Sequence, residues 1–202
     1  RQMCIRDSAA SGQKGRFEII GAHLWSAETP YLYTCKVSRG GEELTEKFGI
    51  RTLEWSGKTG LFVNGRETLL RGGCIHHDNG VLGACSFADA EERRVRILKS
   101  QGFNALRMAH NPASRSLLDA CDRIGMYVMD EAFDGWYIPK EYHDYSRDFL
   151  SDYKSVLAAM VENDYNHPSV IMYSLGNEVT ETASKRGIEL CAEMRDTVHS
   201  LS

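Results

Sequence analysis

The sequence predicts an α/β chain in which short antiparallel strands come first and four strand-then-helix units follow. Two observations predict it. Up to about Trp55 apolar and polar residues alternate with the period of a half-exposed strand, and beyond Leu69 short apolar runs alternate with segments whose apolar residues recur every three to four positions. Consecutive units of that second kind feed a parallel sheet through right-handed crossovers. An open doubly wound sheet and half of a (β/α)8 barrel both satisfy the pattern.

The first eight residues, RQMCIRDS, carry no period and read as a non-native leader. The chain starts on Arg1 and stops on Ser202 directly after a helical pattern, so a fragment at both ends is expected. From residue 9 to Trp55, FEII, YLYTCKVS, a Gly40-Gly41 reversal and ELTEKFGIRTLEW read as the last strands of a β-sandwich. So few strands leave a sheet face uncovered, which places the earlier ones upstream. Ser56 to Gly60 reads as a linker opening the second domain, 56–202, and LFVNGRETLL as a hairpin about Asn64-Gly65.

Each later unit has its own signals. Leu69 to Ile75 reads as a strand. The helix Ala90 to Gln101 is expected to be capped by Asp89 with Glu92 three residues on, to turn Val95, Ile97 and Leu98 inward, and to close at Gly102. FNALRM is the second strand; Ser114 is the N-cap of a helix with Leu117, Leu118, Cys121 and Ile124 on one face, stopping at Gly125. MYVMDE is the third strand, and its helix, Phe149 to about Asn163, aligns Tyr153, Val156, Leu157 and Met160. The fourth strand lies in HPSVIMYSLGNEV, an apolar run expected to be covered on both faces, followed by a helix from Ser184 to Val198.

Composition excludes several classes of partner. With 24 basic and 28 acidic residues the net charge is −4 and no basic stripe exists, which argues against nucleic acid. No run approaches the roughly 20 apolar residues of a membrane span, and a membrane partner is not expected. The six cysteines are widely spaced without a CxxC pair and read as free thiols. Neither cofactor nor metal is expected. The compartment is left open, as is a homo-oligomer for the complete protein.

Polar groups gather past each strand: His76, His77 and Asp78; Arg107, His110 and Asn111; Asp130, Glu131 and Asp134; Asn177 and Glu178. In a parallel architecture these converge on one rim. Carboxylates, imidazoles, an amide and Trp136 suit a neutral polyhydroxyl ligand, while no Gly-rich cradle offers itself to phosphate. Each residue also has a structural use. Glu178 serves either as a catalytic carboxylate or as a helix cap; Arg107 either meets the ligand or pairs with Glu131; Trp136 either stacks on a sugar or covers the mouth. Asp130 suits a strand-loop junction and His167 a turn at the opposite end. His76 and His77, adjacent on an extended chain, point apart, which favours hydrogen bonding over a shared metal ion.

The motifs LWSAETPYLY, FGIRTLEW, LLRGGCIHHDNG, FNALRMAHNP, LLDACDRIGMYVMDEAF and HPSVIMYSLGNEV together resemble family 2 glycoside hydrolases, which include β-galactosidases, β-glucuronidases and β-mannosidases. The resemblance implies the end of an immunoglobulin-like β-sandwich followed by the first half of a (β/α)8 TIM barrel. It implies a retaining exo-β-glycosidase acting on carbohydrate, with a β-galactosidase first, and a β-glucuronidase or a non-catalytic carbohydrate-binding relative as alternatives. Glu178 matches the general acid/base, and apolar strand neighbours are expected to desolvate it and keep it protonated. Asn177 matches the residue that binds the sugar 2-hydroxyl; Arg107 and His110 match positions near the nucleophile and sugar; His77, Asp78, Glu131 and Trp136 complete the expected substrate-binding set. The family's nucleophilic Glu follows a seventh strand, so this chain alone is expected to be inactive. Some β-galactosidases hold magnesium through a Glu and a His after the third strand. Here AFDGWY offers only Asp134 near one such position, and no magnesium site is expected.

Overall fold

The computed structural model describes residues 18–201. The leader at 1–8, Cys4 and the start of the first expected strand at Arg16 and Phe17 lie outside the described residues. The remainder of FEII, Glu18 to Ile20, is not strand.

Strands β1 (Tyr33–Arg39) and β2 (Glu42–Phe48) form an antiparallel hairpin about Gly40-Gly41. The rest of the expected strand ELTEKFGIRTLEW enters a separate sheet, where β3 (Leu53–Ser56), β4 (Gly60–Val63) and β5 (Arg66–Glu67) run antiparallel. The stretch read as a linker is therefore a hairpin turn, and the expected boundary between Trp55 and Ser56 falls inside it. Ser56 Oγ accepts from the backbone N–H groups of Lys58 and Thr59, a local bond that makes SGKTG a turn despite its linker-like composition. Asn64 and Gly65 both take positive φ, 53° and 73°, as a two-residue hairpin loop requires.

The second half is a parallel sheet in the order β6 (Gly72–His76), β7 (Ala105–Ala109), β8 (Tyr127–Glu131), β9 (Val170–Ser174). Helices α1 (Ala88–Ser100), α2 (Arg115–Ile124), α3 (Ser146–Asp164) and α4 (Lys185–Leu201) follow the strands in turn. On one sheet face Leu106, Met108, Val128 and Val170 pack against Val95, Leu117, Leu118 and Cys121. Phe149, Tyr153, Leu157 and Met160 of α3 meet Leu190, Met194 and Val198 of α4. Leu118 and Leu157 are both 0% exposed, and burial on that scale stabilises by about 2 kcal/mol per side chain.

Helix α1 departs from expectation at its start. It begins at Ala88 after Phe87, with no side-chain cap, and Asp89 lies in the first turn beside Glu91. Acidic groups there complement the helix dipole without capping. Glu92 cannot reach back to the cap because its carboxylate pairs with Arg96 and Arg123. Ile97 is exposed; the inward stripe runs through Glu91, Val95 and Leu98 instead. Helix α2 is capped as expected: Ser114 Oγ accepts from Leu117 N at 3.2 Å, and Gly125 closes the helix at φ 83°. A Cβ at Gly125 would run into the Ala27 carbonyl.

The other face of the sheet is an open hollow of about 250 Å3 bordered by Cys74, Arg107, Tyr127, Met129, Ile171 and Met172. Consequently Ile171 to Ser174 are half-buried rather than covered on both faces. The β8–β9 register slips after Val128, which pairs with Val170 while Met129 pairs with Met172. Ile171 and Met172 thus both border the hollow, and Glu131 is set opposite Ser174.

The base is closed from the N-terminal side. Trp25, 0% exposed, donates from Nε1 to Asp122 O at 2.9 Å; Arg51 donates to the carbonyls of Pro168 and Val170. His167 does more than shape a turn, since its Nδ1 lies 2.6 Å from Asp122 Oδ2 in the buried base. Cys35, Cys74, Cys85, Cys121 and Cys191 are free thiols. No described helix is long and apolar enough to cross a membrane.

Candidate active site

The carboxyl ends of the parallel strands build a cluster around Glu131, the last residue of β8. Alternation along β7 and β8 turns Leu106, Met108 and Val128 toward the helices and Arg107, Met129 and Glu131 toward the hollow. Glu131 is 0% exposed, and its carboxylate is fully engaged. Arg107 Nη2 donates to Oε2 at 2.7 Å, His110 Nδ1 lies 2.6 Å from Oε1, and Ser174 Oγ donates to Oε2 at 2.6 Å. The hydrogen bonds from Arg107 to Glu131 raise the guanidinium above its ordinary range, so it stays charged.

The same guanidinium continues the network. Arg107 Nη2 donates to Asn177 Oδ1 at 2.9 Å, and Asn177 Nδ2 donates to Asp134 Oδ1 at 3.0 Å. Both side-chain ends of Asn177 are therefore fixed, which settles the orientation of its amide. Burial works against the charge of Asp134, but bonds from Asn177 and Lys140 outweigh it and hold the carboxyl below its ordinary value. Lys140 Nζ lies 3.0 Å from Asp134 Oδ1, 2.8 Å from Asn177 O and 3.8 Å from Glu178 Oε2.

Glu178 follows directly, at φ 46°. Non-glycine residues in that region cost about 1 kcal/mol or more and persist where surrounding bonds over-determine them. Here Asn177 N donates to the carbonyls of Phe133 and Asp134 while Asn177 O accepts from Lys140. The Glu178 side chain is 82% exposed. This corrects the expectation that apolar strand residues bury it, because β9 ends at Ser174 and Glu178 stands beyond it on the rim. Nor does its carboxylate cap the next helix: the short 3-10 turn at Thr180–Ala183 starts from Val179 without a side-chain bond.

Three other expected residues stand apart from the Glu131 cluster. Trp136 is 2% exposed, donates from Nε1 to Leu175 O at 2.8 Å and stacks on Phe149. It covers the α3 core and offers no face to a sugar; a Cβ at Gly176 would come within 2.8 Å of its Nε1. His77 Nε2 lies 3.2 Å from Pro112 O, and Asp78 Oδ1 accepts from Gly80 N. Both border a crevice of about 10 Å3, room for one water and no more. His76 turns the other way, its ring edge-on to His110 at 5.1 Å.

Magnesium does not fit the loop after β8. Asp134 Oδ1 already accepts from Lys140 and Asn177, and the Lys140 ammonium stands between Asp134 and Glu178, where a divalent ion would meet a like charge.

A parallel half-sheet with this rim has known counterparts. Residues 57–198 match the family model described as glycosyl hydrolases family 2, TIM barrel domain, and residues 5–51 match that described as glycosyl hydrolases family 2. The chain belongs to glycosyl hydrolase family 2. It is 48% identical over 163 residues to the β-galactosidase BoGH2A of Bacteroides ovatus, covering 78% of this chain and 19% of that protein. It is 35% identical over 179 residues to a putative β-glucuronidase of Formosa agariphila, covering 85% and 17%. The crystal structure of a glycosyl hydrolase family 2 member from Bacteroides cellulosilyticus superposes with a TM-score of 0.86 at 44% identity, covering 91% of this chain and 24% of that one. The chain thus spans about a fifth of the length of the curated relatives it matches.

Two residues of this rim escaped sequence reasoning. Ser174 looked like one more strand residue, and only the slip at Ile171 turns it to Glu131. Lys140 sits in a long aromatic-rich loop, where spacing says nothing about its reach.

Proposed function

We propose that this chain carries the acid/base-bearing half of the (β/α)8 barrel of a retaining exo-β-glycosidase. The observation that carries the reading is the chain of bonds from buried Glu131 through Arg107 to Asn177, which ends beside the exposed Glu178 carboxylate. In this reading Glu178 protonates the glycosidic oxygen as the bond breaks, then takes a proton from the water that hydrolyses the glycosyl-enzyme. Asn177, fixed at both amide ends, meets the sugar 2-hydroxyl, and Arg107 and His110 line the subsite. A buried carboxylate that orients cationic and imidazole groups gives such a site its preorganisation. The nucleophilic carboxylate would come from a later strand of the complete barrel, and the sandwich would give way to the barrel near residues 55 and 56, in the strand that opens the β3–β4 hairpin.

Terminal β-galactosides are the proposed substrates, supported by the 48% identity to a protein named as a β-galactosidase, against 35% to one named as a putative β-glucuronidase. The β-glucuronidase reading keeps its place through that second relative. Hydrolysis of aryl β-galactoside beside aryl β-glucuronide by the complete enzyme separates them. Preferential galactoside cleavage is expected; preferential glucuronide cleavage overturns the substrate, and cleavage of neither favours a carbohydrate-binding relative.

A further inference from the structure

We propose that Lys140 is the resident cation of this site, a positioning residue that holds Asn177 and Glu178 in place and separates Asp134 from Glu178. The inference rests on the reading of Glu178 as acid/base. Lys140 Nζ donates to Asp134 O at 2.9 Å, Asp134 Oδ1 at 3.0 Å and Asn177 O at 2.8 Å, which accounts for all three N–H bonds of an ammonium. Glu178 Oε2 lies 3.8 Å from the same nitrogen. One charge therefore ties the loop after β8 to the backbone that carries the catalytic pair.

The loop is shaped for this reach. The aliphatic stem of Lys140 passes over Gly135, where a Cβ would stand 3.3 Å from Cε, a tight contact that would shift the stem by a few tenths of an ångström. The backbone of Lys140 is itself anchored, its N–H donating to Asp144 Oδ2 at 2.7 Å. Ile138 N donates to the buried Glu181 at 2.7 Å, tying the loop to the chain on the far side of Glu178. An ordinary surface ion pair has none of this and contributes little. Without the ammonium, Asp134 and Glu178 would lose the cation they share, and Asn177 O would lose the donor that helps keep Glu178 at positive φ.

The test uses the complete enzyme with Lys140→Met, which keeps the stem and removes the charge. On a glycoside with a poor alkyl leaving group kcat is expected to fall about 10- to 100-fold, the range for loss of a charged hydrogen bond, with KM little changed. An activated aryl glycoside, which needs less protonation, should lose less. In Lys140→Ala, propylammonium should restore part of the activity, while tetramethylammonium, which has no N–H, should not. Equal losses on both substrates without rescue by propylammonium would reduce Lys140 to fold support and overturn the inference, as would full activity of Lys140→Met. Glu178→Gln is run in parallel: if that variant keeps full activity on both substrates, the acid/base assignment fails and the inference with it, an outcome distinct from failure at Lys140 alone.

Discussion

Asp130 and Asp164 meet as a carboxyl pair inside the protein, 0% and 2% exposed. Asp130 Oδ1 accepts from Ala113 N and Glu131 N, but neither Asp130 Oδ2 nor Asp164 Oδ2 has another donor among the described residues. One proton held between the two carboxyls would answer both orphaned oxygens. Burial, and then the charge of Asp164, push the Asp130 carboxyl up to about 8; burial raises Asp164 as well.

This pair gives the protein a pH-dependent stability of definite sign. Unfolded, Asp130 titrates near 3.8; folded, it holds its proton to about 8. Between those values the folded state binds a proton that the unfolded state has lost, so stability declines as pH rises through the window. His167 adds to the slope: burial lowers its pKa, but Asp122 overcomes that and raises it, so its contribution also fades with rising pH. Arg51 and Tyr173 complete the charged and titratable surroundings. In Asp130→Asn an amide N–H replaces the shared proton. Relative to the parent, the variant of the complete protein should gain on the order of 3 kcal/mol between pH 5 and pH 8. Denaturation at the two pH values measures this, and an equal difference at both would count against the shared proton.

Glu131→Ala should destabilise by about 3 kcal/mol, the lower end for breaking a buried ion pair, because Arg107 keeps some access to water. Glu131→Gln should cost less in stability while still disturbing Arg107 and His110, so its loss should fall mainly on kcat. Thermal denaturation beside steady-state kinetics separates the two effects.

Ser114→Ala removes the N-cap of α2, whose first turn adjoins the loop carrying His110. A loss of about 1 kcal/mol is expected, read by urea denaturation; a change within error would show that Leu117 N finds another acceptor.

Chelation should leave the activity of the complete enzyme unchanged, because Lys140 occupies the position between Asp134 and Glu178. Activity that is lost in chelator and restored by magnesium would contradict this.

Much of this architecture is legible in the sequence because its signals are local. Asn64-Gly65 sets a hairpin, Ser114 and Gly125 bracket α2, and the apolar runs at MYVMDE and VIMYS mark parallel strands. The rim was legible for the same reason: residues just past parallel strands share one end of the sheet, which brings Arg107, His110, Glu131 and Asn177 together. What escaped depends on contacts distant in sequence. Trp136 is committed to Phe149 and Leu175 O rather than a ligand, Glu92 to Arg123 rather than a cap, and Glu178 is exposed because the strand ends before it. The Asp130–Asp164 pair spans a whole helix, so no spacing rule announces it.

The most direct test of the central claim is the turnover of Glu178→Gln in the complete enzyme on glycosides of graded leaving-group ability. Loss of the general acid predicts a fall of about 10²- to 10⁴-fold on poor leaving groups and a much smaller one on activated aryl glycosides. An equal loss across the series, or none, would contradict the assignment of Glu178.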